Sequence, residues 1–326
     1  MNNSFTGSNR LTRRHSLKLL AAAMAASLLP AWPGFAAGSG RWQKTIGAGN
    51  KTLPVIGMGT WRTFNVGNDA RLLAARTELV KAFFELGGGM IDSSPMYGSA
   101  PDVMGHALSQ LGIAQPGAAQ SDMVGSLFAA EKVWSPAGGS AREQIADLQQ
   151  RWKIPQFDLL QVHNLADWRE HLAVLRELKA AGKVGYIGIT TSHGRRHSEV
   201  EQIMASENID FVQLTYNISE REAENRLLPL AKEKGIAVIA NRPYNGGSLI
   251  NNLKRRGERL PGWAAECGCT SWAEFLLKFI VSHPAISCAI PATTRLEHLQ
   301  ENMRAGLNPM PSAENRKQMV RFFDAL

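Results

Sequence analysis

Phe157-Asp158-Leu159-Leu160-Gln161-Val162-His163, an amphipathic stretch over 168–181, Gly182, and the apolar run Tyr186-Ile187-Gly188-Ile189-Thr190 together make one strand–helix–strand unit. Gly182 stands where a helix exits, after the helical pattern and before the next strand. A strand, a helix and a second strand in this order predict a parallel sheet wrapped by helices.

The same alternation repeats outward from this unit. Apolar runs at 55–58, 90–92, 124–130, 157–163, 186–190, 211–214, 237–240 and 287–290 serve as eight strands. Amphipathic stretches at 72–86, 142–152, 168–181, 223–234 and 272–281 lie between them, and glycines at 87–89 and at Gly235 punctuate further helix exits. Eight strands interleaved with helices argue for a single-domain α/β fold closed into a (β/α)8 TIM barrel, and 326 residues suffice for one. The competing architecture is a doubly wound open sheet. Gly57-Met58-Gly59-Thr60-Trp61-Arg62 argues against it, because it lacks the third glycine of a dinucleotide fingerprint and leads into no helix.

The first segment has a different composition. Arg10, Arg13, Arg14 and Lys18 precede an apolar run at 19–29, with no acidic residue before Arg41, and Gly34 and Ala36 offer small residues for cleavage. Thr12-Arg13-Arg14-His15-Ser16-Leu17-Lys18 resembles the twin-arginine export pattern S/T-R-R-x-F-L-K, with Ser16 in place of Phe. The organisation expected is a signal peptide over 1–36, cleaved near Ala36, a linker and N-terminal cap over 37–50, and the barrel over 51–326. The apolar run is short for a membrane of about 30 Å, so no stable span is expected in the mature form. The resemblance implies passage through the twin-arginine machinery and a periplasmic location.

The leader carries four of the 36 Lys+Arg and none of the 28 Asp+Glu, so the remainder holds 32 against 28, a net +4. Arg195-Arg196 and Lys254-Arg255-Arg256 are short basic runs without interleaved aromatics, and no nucleic-acid partner is expected. Cys267, Cys269 and Cys288 are too few and too unevenly spaced for a disulfide framework or a zinc site. No His/Asp/Glu cluster has metal-ligand spacing, so no metal is expected.

Barrel enzymes place reacting groups at the carboxyl ends of their strands. Asp92, Lys132 and His163 end successive predicted strands, and Tyr97 follows Asp92 by five residues. Any one of them alone has an ordinary explanation, a surface tyrosine or a satisfied core histidine. As a set they resemble the aldo-keto reductase family: Asp92-Ser93-Ser94-Pro95-Met96-Tyr97-Gly98 is similar to its D-T-A-x-x-Y-G motif, and Lys132 and His163 fall at its lysine and histidine in order. The resemblance runs from about residue 53 to residue 302. It implies hydride transfer between nicotinamide and a small-molecule carbonyl or alcohol. Tyr97 would donate the proton, Lys132 would lower the phenol's pKa, Asp92 would keep Lys132 charged, and His163 would hydrogen-bond the substrate oxygen.

A cofactor signature follows the last strand. Ile290-Pro291-Ala292-Thr293-Thr294-Arg295-Leu296-Glu297-His298-Leu299-Gln300-Glu301-Asn302 resembles the family's I-P-G-x-x-x-x-x-H-L-x-E-N site, with Ala292 where glycine is frequent. By resemblance NADP (NADPH) is the cofactor: Arg295 reads its 2′-phosphate, Pro291, Thr293 and Thr294 surround the phosphate, and Glu301 and Asn302 contact the adenine. Thr190 and Gln213 would bind the nicotinamide carboxamide, with Arg242 completing the contacts. The family's amide is lost at Thr191, and Asn241 stands where an aromatic stacking residue is common, leaving Tyr216 and Tyr244 as alternatives. Trp61, Trp134 and segment 245–263 are candidate substrate walls. Because the leader points outward while free NADPH is made inside, two further readings stay open. One is a self-recycling oxidoreductase with permanently bound NADP; the other is an exported nucleotide-binding module without catalysis.

Overall fold

The computed structural model describes residues 40–47, 51–113 and 127–326; the expected signal peptide over 1–36 and the start of the run at 124–130 lie outside them. A short antiparallel hairpin, β1 (Gln43–Thr45) and β2 (Thr52–Pro54), precedes eight parallel strands. These are β3 (Met58–Gly59), β4 (Met90–Asp92), β5 (Phe128–Val133), β6 (Leu159–Val162), β7 (Tyr186–Thr190), β8 (Phe211–Thr215), β9 (Ala237–Asn241) and β10 (Ile286–Ala289). Each pairs in parallel with the next in chain order, with a register shift between Ile286 and Cys288 where β10 meets β9. The ends of the sheet meet through a parallel bridge between Ile56 and Ala289, with Gly57 N donating to Ala289 O at 2.9 Å and Ala289 N to Val55 O at 2.9 Å. The fold is the (β/α)8 barrel expected. The first strand is shorter than the run at 55–58 suggests, because Val55 to Gly57 are spent on this closing contact with β10.

Side chains alternate along each strand, so every second residue enters the barrel. Met90, Phe128, Leu159 and Phe211 enter at the amino end and form an apolar plug with Ile46 and Leu53 of the hairpin. Lys44 pins the hairpin by donating to the carbonyls of Val281 (2.9 Å), His283 (2.7 Å) and Ile286 (2.5 Å). Two residues further along the same strands come Asp92, Gln161 and Gln213, with Lys132 four beyond Phe128; all four are buried and polar. The interior is therefore greasy at one end and polar at the other, and the polar end is the carboxyl end.

The alternate strand positions, Ile91, Ala129, Leu160, Ile187 and Val212 among them, face a second core shared with the helices. Those helices are α1 (Ala70–Glu85), α2 (Ala100–Gln110), α3 (Ala141–Trp152), α4 (Trp168–Ala180), α5 (His197–Ser206), α6 (Leu227–Lys234), α7 (Ser248–Arg256), α8 (Trp272–Val281), α9 (Leu296–Arg304) and α10 (Ala313–Asp324). Local chemistry sets their starts. Asp69 accepts from Leu72 N at the start of α1, and Ser140 and Glu143 close a reciprocal capping box on α3. Helix α2 crosses α3 so closely that a Cβ on Gly105 would lie 1.8 Å from Arg151 O, which makes glycine obligatory there. That approach seats Trp152 against the outer face of β5, the strand that carries Lys132, where its Nε1 donates to Glu131. Cys267, Cys269 and Cys288 are buried free thiols, and no described helix is long and apolar enough to cross a membrane.

Candidate active site

Strand register brings Asp92 and Lys132 together. Asp92 pairs with Ala130 on β5, so Lys132, two residues on, points inward just above it. Its Nζ lies 2.6 Å from Asp92 Oδ2 and 2.6 Å from Ser93 O, with both side chains essentially out of solvent. Asp92 Oδ1 accepts from Gln213 Nε2 at 2.8 Å and from Gln161 Nε2 at 3.3 Å. Burial alone would push the Lys132 pKa down, but Asp92, Tyr97 and Glu131 outweigh it and hold the ammonium above its ordinary value.

Tyr97 reaches this pair from a tightly held loop. Ser94 Oγ accepts from Met96 N at 3.2 Å and Tyr97 N donates to Ser94 O at 2.9 Å, forming one 3-10 turn over Pro95–Tyr97. Gly98 then takes φ 63° and ψ −122°, a conformation open to glycine alone, and its carbonyl accepts from Arg151 at 2.9 Å. The ring centroid comes to rest 5.3 Å from Lys132 Nζ. Burial raises the phenol to about 12; Lys132 opposes that shift without reversing it. The net shift is therefore upward, not the lowering that the sequence implies. The phenol keeps its proton, and the ammonium is placed to stabilise the phenolate once the proton leaves.

His163 completes the group from the end of β6. Its ring sits edge-on to Tyr97 with centroids 5.8 Å apart, and its Nδ1 lies 2.7 Å from Ser94 Oγ. Burial, then Lys132, depresses its pKa to about 3, so the imidazole is neutral. Asn164 turns the chain at φ 53°, where its N–H donates to Thr190 Oγ1 at 3.0 Å, tying the end of β6 to that of β7.

These residues open onto a cavity of about 620 Å³ at the carboxyl end of the barrel, lined by Asp92, Tyr97, His163, Thr190, Gln213 and Arg242 and walled by Trp61 and Met96. A second cavity of about 550 Å³ shares Tyr244, Gly247 and Ala292 with the first and extends over Thr293, Glu301 and Asn302. The cofactor residues expected from the sequence thus distribute along one groove, with exceptions. Pro291 is buried and accepts from Gly59 N through its carbonyl at 3.0 Å, while Thr294 is exposed and lines neither cavity. Arg295 also lines neither; its side chain is 62% exposed and sits 3.5 Å from Glu297. The basic residues that do line the second cavity are Lys254, Arg259 and His298.

The open question about an aromatic near the nicotinamide end narrows. Tyr216 is fully buried, stacked on Phe279, and lines neither cavity. Tyr244 lines both, with its hydroxyl donating to Asn302 Oδ1 at 2.6 Å. Asn241 lines the first cavity, and it ties the strand ends together: its Nδ2 donates to Thr191 O at 2.8 Å and its Oδ1 accepts from Thr215 Oγ1 at 2.7 Å. Of the candidate walls, Trp61 lines the first cavity and Trp134 stands 6.2 Å from the His163 ring, whereas Trp263 packs on Phe275 and Phe322 in the core. Segment 245–263 lines the second cavity through Ile250, Asn251 and Leu260 as well as Lys254 and Arg259.

The groove suits a dinucleotide on its own chemistry. Arg242 Nε is buried without a hydrogen-bond partner in the protein, a donor left over beside the first cavity, which Arg242 lines. Among the described residues no group of His, Cys, Asp and Glu could hold a metal ion.

Two Escherichia coli proteins resemble the chain over most of its length. Methylglyoxal reductase YeaE is 27% identical over 274 residues, covering 82% of this chain and 90% of that protein. An NADH-specific methylglyoxal reductase is 28% identical over 263 residues, covering 72% and 76%. Among solved structures, an aldo-keto reductase from Bacillus halodurans in its holo form matches with TM-score 0.69 at 20% identity, covering 87% of this chain and 96% of that one. One from Klebsiella pneumoniae in complex with NADPH gives TM-score 0.69 at 22% identity, covering 86% and 95%. The family model described as the aldo/keto reductase family matches residues 55–318, most of the barrel and both ends of the groove, and the chain belongs to that family of oxidoreductases.

Proposed function

We propose that the protein reduces the carbonyl of a small aldehyde or ketone, or oxidises the matching alcohol, with NADP(H) as hydride carrier and Tyr97 as the proton donor. The observation that carries this reading is the Tyr97 ring, 5.3 Å from an ammonium locked 2.6 Å from Asp92, on the wall of the cavity that also holds His163. When bound, the carrier would supply the hydride for the carbonyl carbon. The chain supplies the rest. As negative charge grows on the substrate oxygen, Tyr97 gives up its proton and Lys132 offsets the phenolate left behind. Asp92 keeps that ammonium charged, and neutral His163 hydrogen-bonds the same oxygen. Thr190 and Gln213 would hold the nicotinamide end, Arg242 the phosphates, and Glu301 with Asn302 the adenine.

The methylglyoxal reductases among its relatives support a short 2-oxoaldehyde as substrate. Because one of them is named NADH-specific, cofactor preference has to be measured rather than inherited. Purified protein should oxidise NADPH in the presence of methylglyoxal. Tyr97→Phe should cut kcat by at least about 100-fold, the usual worth of a positioned acid, while NADPH titrated by fluorescence binds as before. Tyr97→Phe retaining more than about a tenth of wild-type kcat would remove the tyrosine from its role.

For location, we infer periplasmic export through the twin-arginine route, supported by Arg13 and Arg14 ahead of the apolar run. That route is understood to carry folded proteins, so NADP would leave the cytoplasm already bound in the groove. Mass spectrometry of protein purified from the periplasm tests this by detecting or missing a stoichiometric nucleotide.

A further inference from the structure

We propose that Ser94 is a positioning residue that fixes His163 as the Nε2–H tautomer, so that its bare Nδ1 faces the loop and its N–H faces the cavity. Ser94 Oγ and His163 Nδ1 are 2.7 Å apart and both residues are buried. That distance alone permits either direction of donation. The direction is set by the other contact of the same hydroxyl: Ser94 Oγ accepts from Met96 N at 3.2 Å as the cap of the Tyr97 turn.

A serine hydroxyl has one hydrogen to donate and two lone pairs. With one lone pair committed to Met96, the hydrogen needs an acceptor, and within the described residues Nδ1 is the only other group in hydrogen-bond contact with this oxygen. The opposite tautomer would make Ser94 accept twice and strand its hydrogen in a dry site, the arrangement folded proteins avoid. A cation is excluded as well, because doubly protonated imidazole would again donate at Nδ1 and would stand close to the buried Lys132 ammonium. The same serine thus caps the turn that carries Tyr97 and orients the histidine beside it. Where the family motif has alanine, this chain links its proton donor and its second hydrogen-bond donor through one hydroxyl.

The role assigned to the Nε2–H rests on the carbonyl-reducing reading above; the tautomer itself does not. Full-length protein labelled with 15N at histidine, with the His163 signals identified by their loss in His163→Gln, reports the tautomer through two-bond 1H–15N correlations. The wild type should show an Nε2-protonated neutral ring, Ser94→Thr should keep it, and Ser94→Ala should shift the population towards Nδ1–H. In turnover with methylglyoxal, Ser94→Ala should lower kcat/KM about tenfold, the scale of one lost hydrogen bond, with NADPH affinity unchanged and Ser94→Thr largely restored. An Nδ1–H ring in the wild type, or an Ala spectrum identical to wild type, overturns the proposal. If Ser94→Ala does not fold, the wild-type and Ser94→Thr spectra still decide. Absence of any carbonyl reduction by the wild type would instead strike the functional reading and leave the tautomer assignment standing.

Discussion

The Lys132 ammonium and the Asp92 carboxylate lie 2.6 Å apart at the carboxyl end of the barrel, and neither side chain is open to solvent. Such a pair is worth little against an apolar replacement of both members, but removing one leaves the other charged and unpaired. Both oxygens of Asp92 are engaged, since Gln213 and Gln161 donate to the one that Lys132 does not. Asp92→Asn puts an amide donor against either Lys132 or the two glutamines. It should cost about 3–5 kcal/mol of stability in urea unfolding, the scale seen when one partner of a buried pair is lost. A loss below about 1 kcal/mol, typical of an exposed pair, would mean that water reaches the site and that Lys132 does not depend on Asp92 for its charge.

A second buried carboxylate lies back to back with this pair. Glu131 points out of the barrel, where Trp152 Nε1 and Lys132 N donate to its two oxygens at 2.9 Å each, and burial raises its pKa to about 8. A carboxyl raised in the folded state contributes stability that is fully present below its unfolded value near 4.5 and lost as pH rises through 8. His163, lowered to about 3, and His283, lowered to about 4, act in the opposite sense: their contributions are present above the unfolded value of 6.5 and lost as pH falls. Between 4.5 and 6.5 the two histidines outweigh the one carboxyl, from 6.5 to 8 Glu131 dominates, and above 8 Lys44, lowered to about 8 by burial, acts in the opposite sense. Stability should peak near pH 6.5 and decline towards pH 8 by up to about 1.4 kcal/mol per pH unit. Urea midpoints measured across pH 5–9 check this. Glu131→Gln, whatever its absolute stability, should flatten the decline above 6.5, and an unchanged slope would place the titration elsewhere.

How much of this was readable beforehand depended on where the determining contact lies along the chain. The strand at 186–190 matches β7 at both ends because its boundaries are set locally, by the glycine-ended helix before it and the turn after it. The hairpin was not readable: β1 and β2 are three residues each, too short for a period, and they pair with each other while docked against the barrel floor. Helix α10 buries Met319 alone, too little for a periodic stripe. In the site, Asp92, Tyr97, Lys132 and His163 were found because each sits inside a local motif. Gln161 had a signal, lying two residues before His163 and hence on the same strand face. Lys254, Arg259 and His298 come from separated segments, and no spacing within any one of them announces a shared cavity.

That separation bears on cofactor choice. The sequence reading puts 2′-phosphate recognition on Arg295, yet its guanidinium is largely exposed and lies beside Glu297 outside both cavities. Lys254, Arg259 and His298 line the cavity that would take the adenosine end, together with Thr293. Arg259→Ala should therefore weaken NADPH about tenfold or more in fluorescence titration while NADH changes little, the asymmetry expected when a charge-assisted contact to a phosphate is removed. Arg295→Ala should change the ratio by less than about threefold, in keeping with a solvent-screened charge. The reverse ranking would restore Arg295 to the phosphate and imply that the loop after β10 closes inward when nucleotide binds.

The export proposal predicts a different kind of dependence, on the identity of two residues rather than on their charge. Replacing Arg13 and Arg14 by lysine keeps four basic residues ahead of the apolar run, all that a general secretion signal requires. The twin-arginine receptor reads the guanidinium pair itself, so the Arg13→Lys/Arg14→Lys precursor should stay inside the cell at full length. The substitutions lie outside residues 55–318, the span matching the family, so the retained precursor should still bind NADPH. Cell fractionation with immunoblotting gives the location, and fluorescence of the cytoplasmic fraction gives the binding. Continued export of the double-lysine protein would mean that the chain crosses unfolded. It could not then bring bound NADP with it, and any turnover outside the cytoplasm would need a nucleotide supplied there.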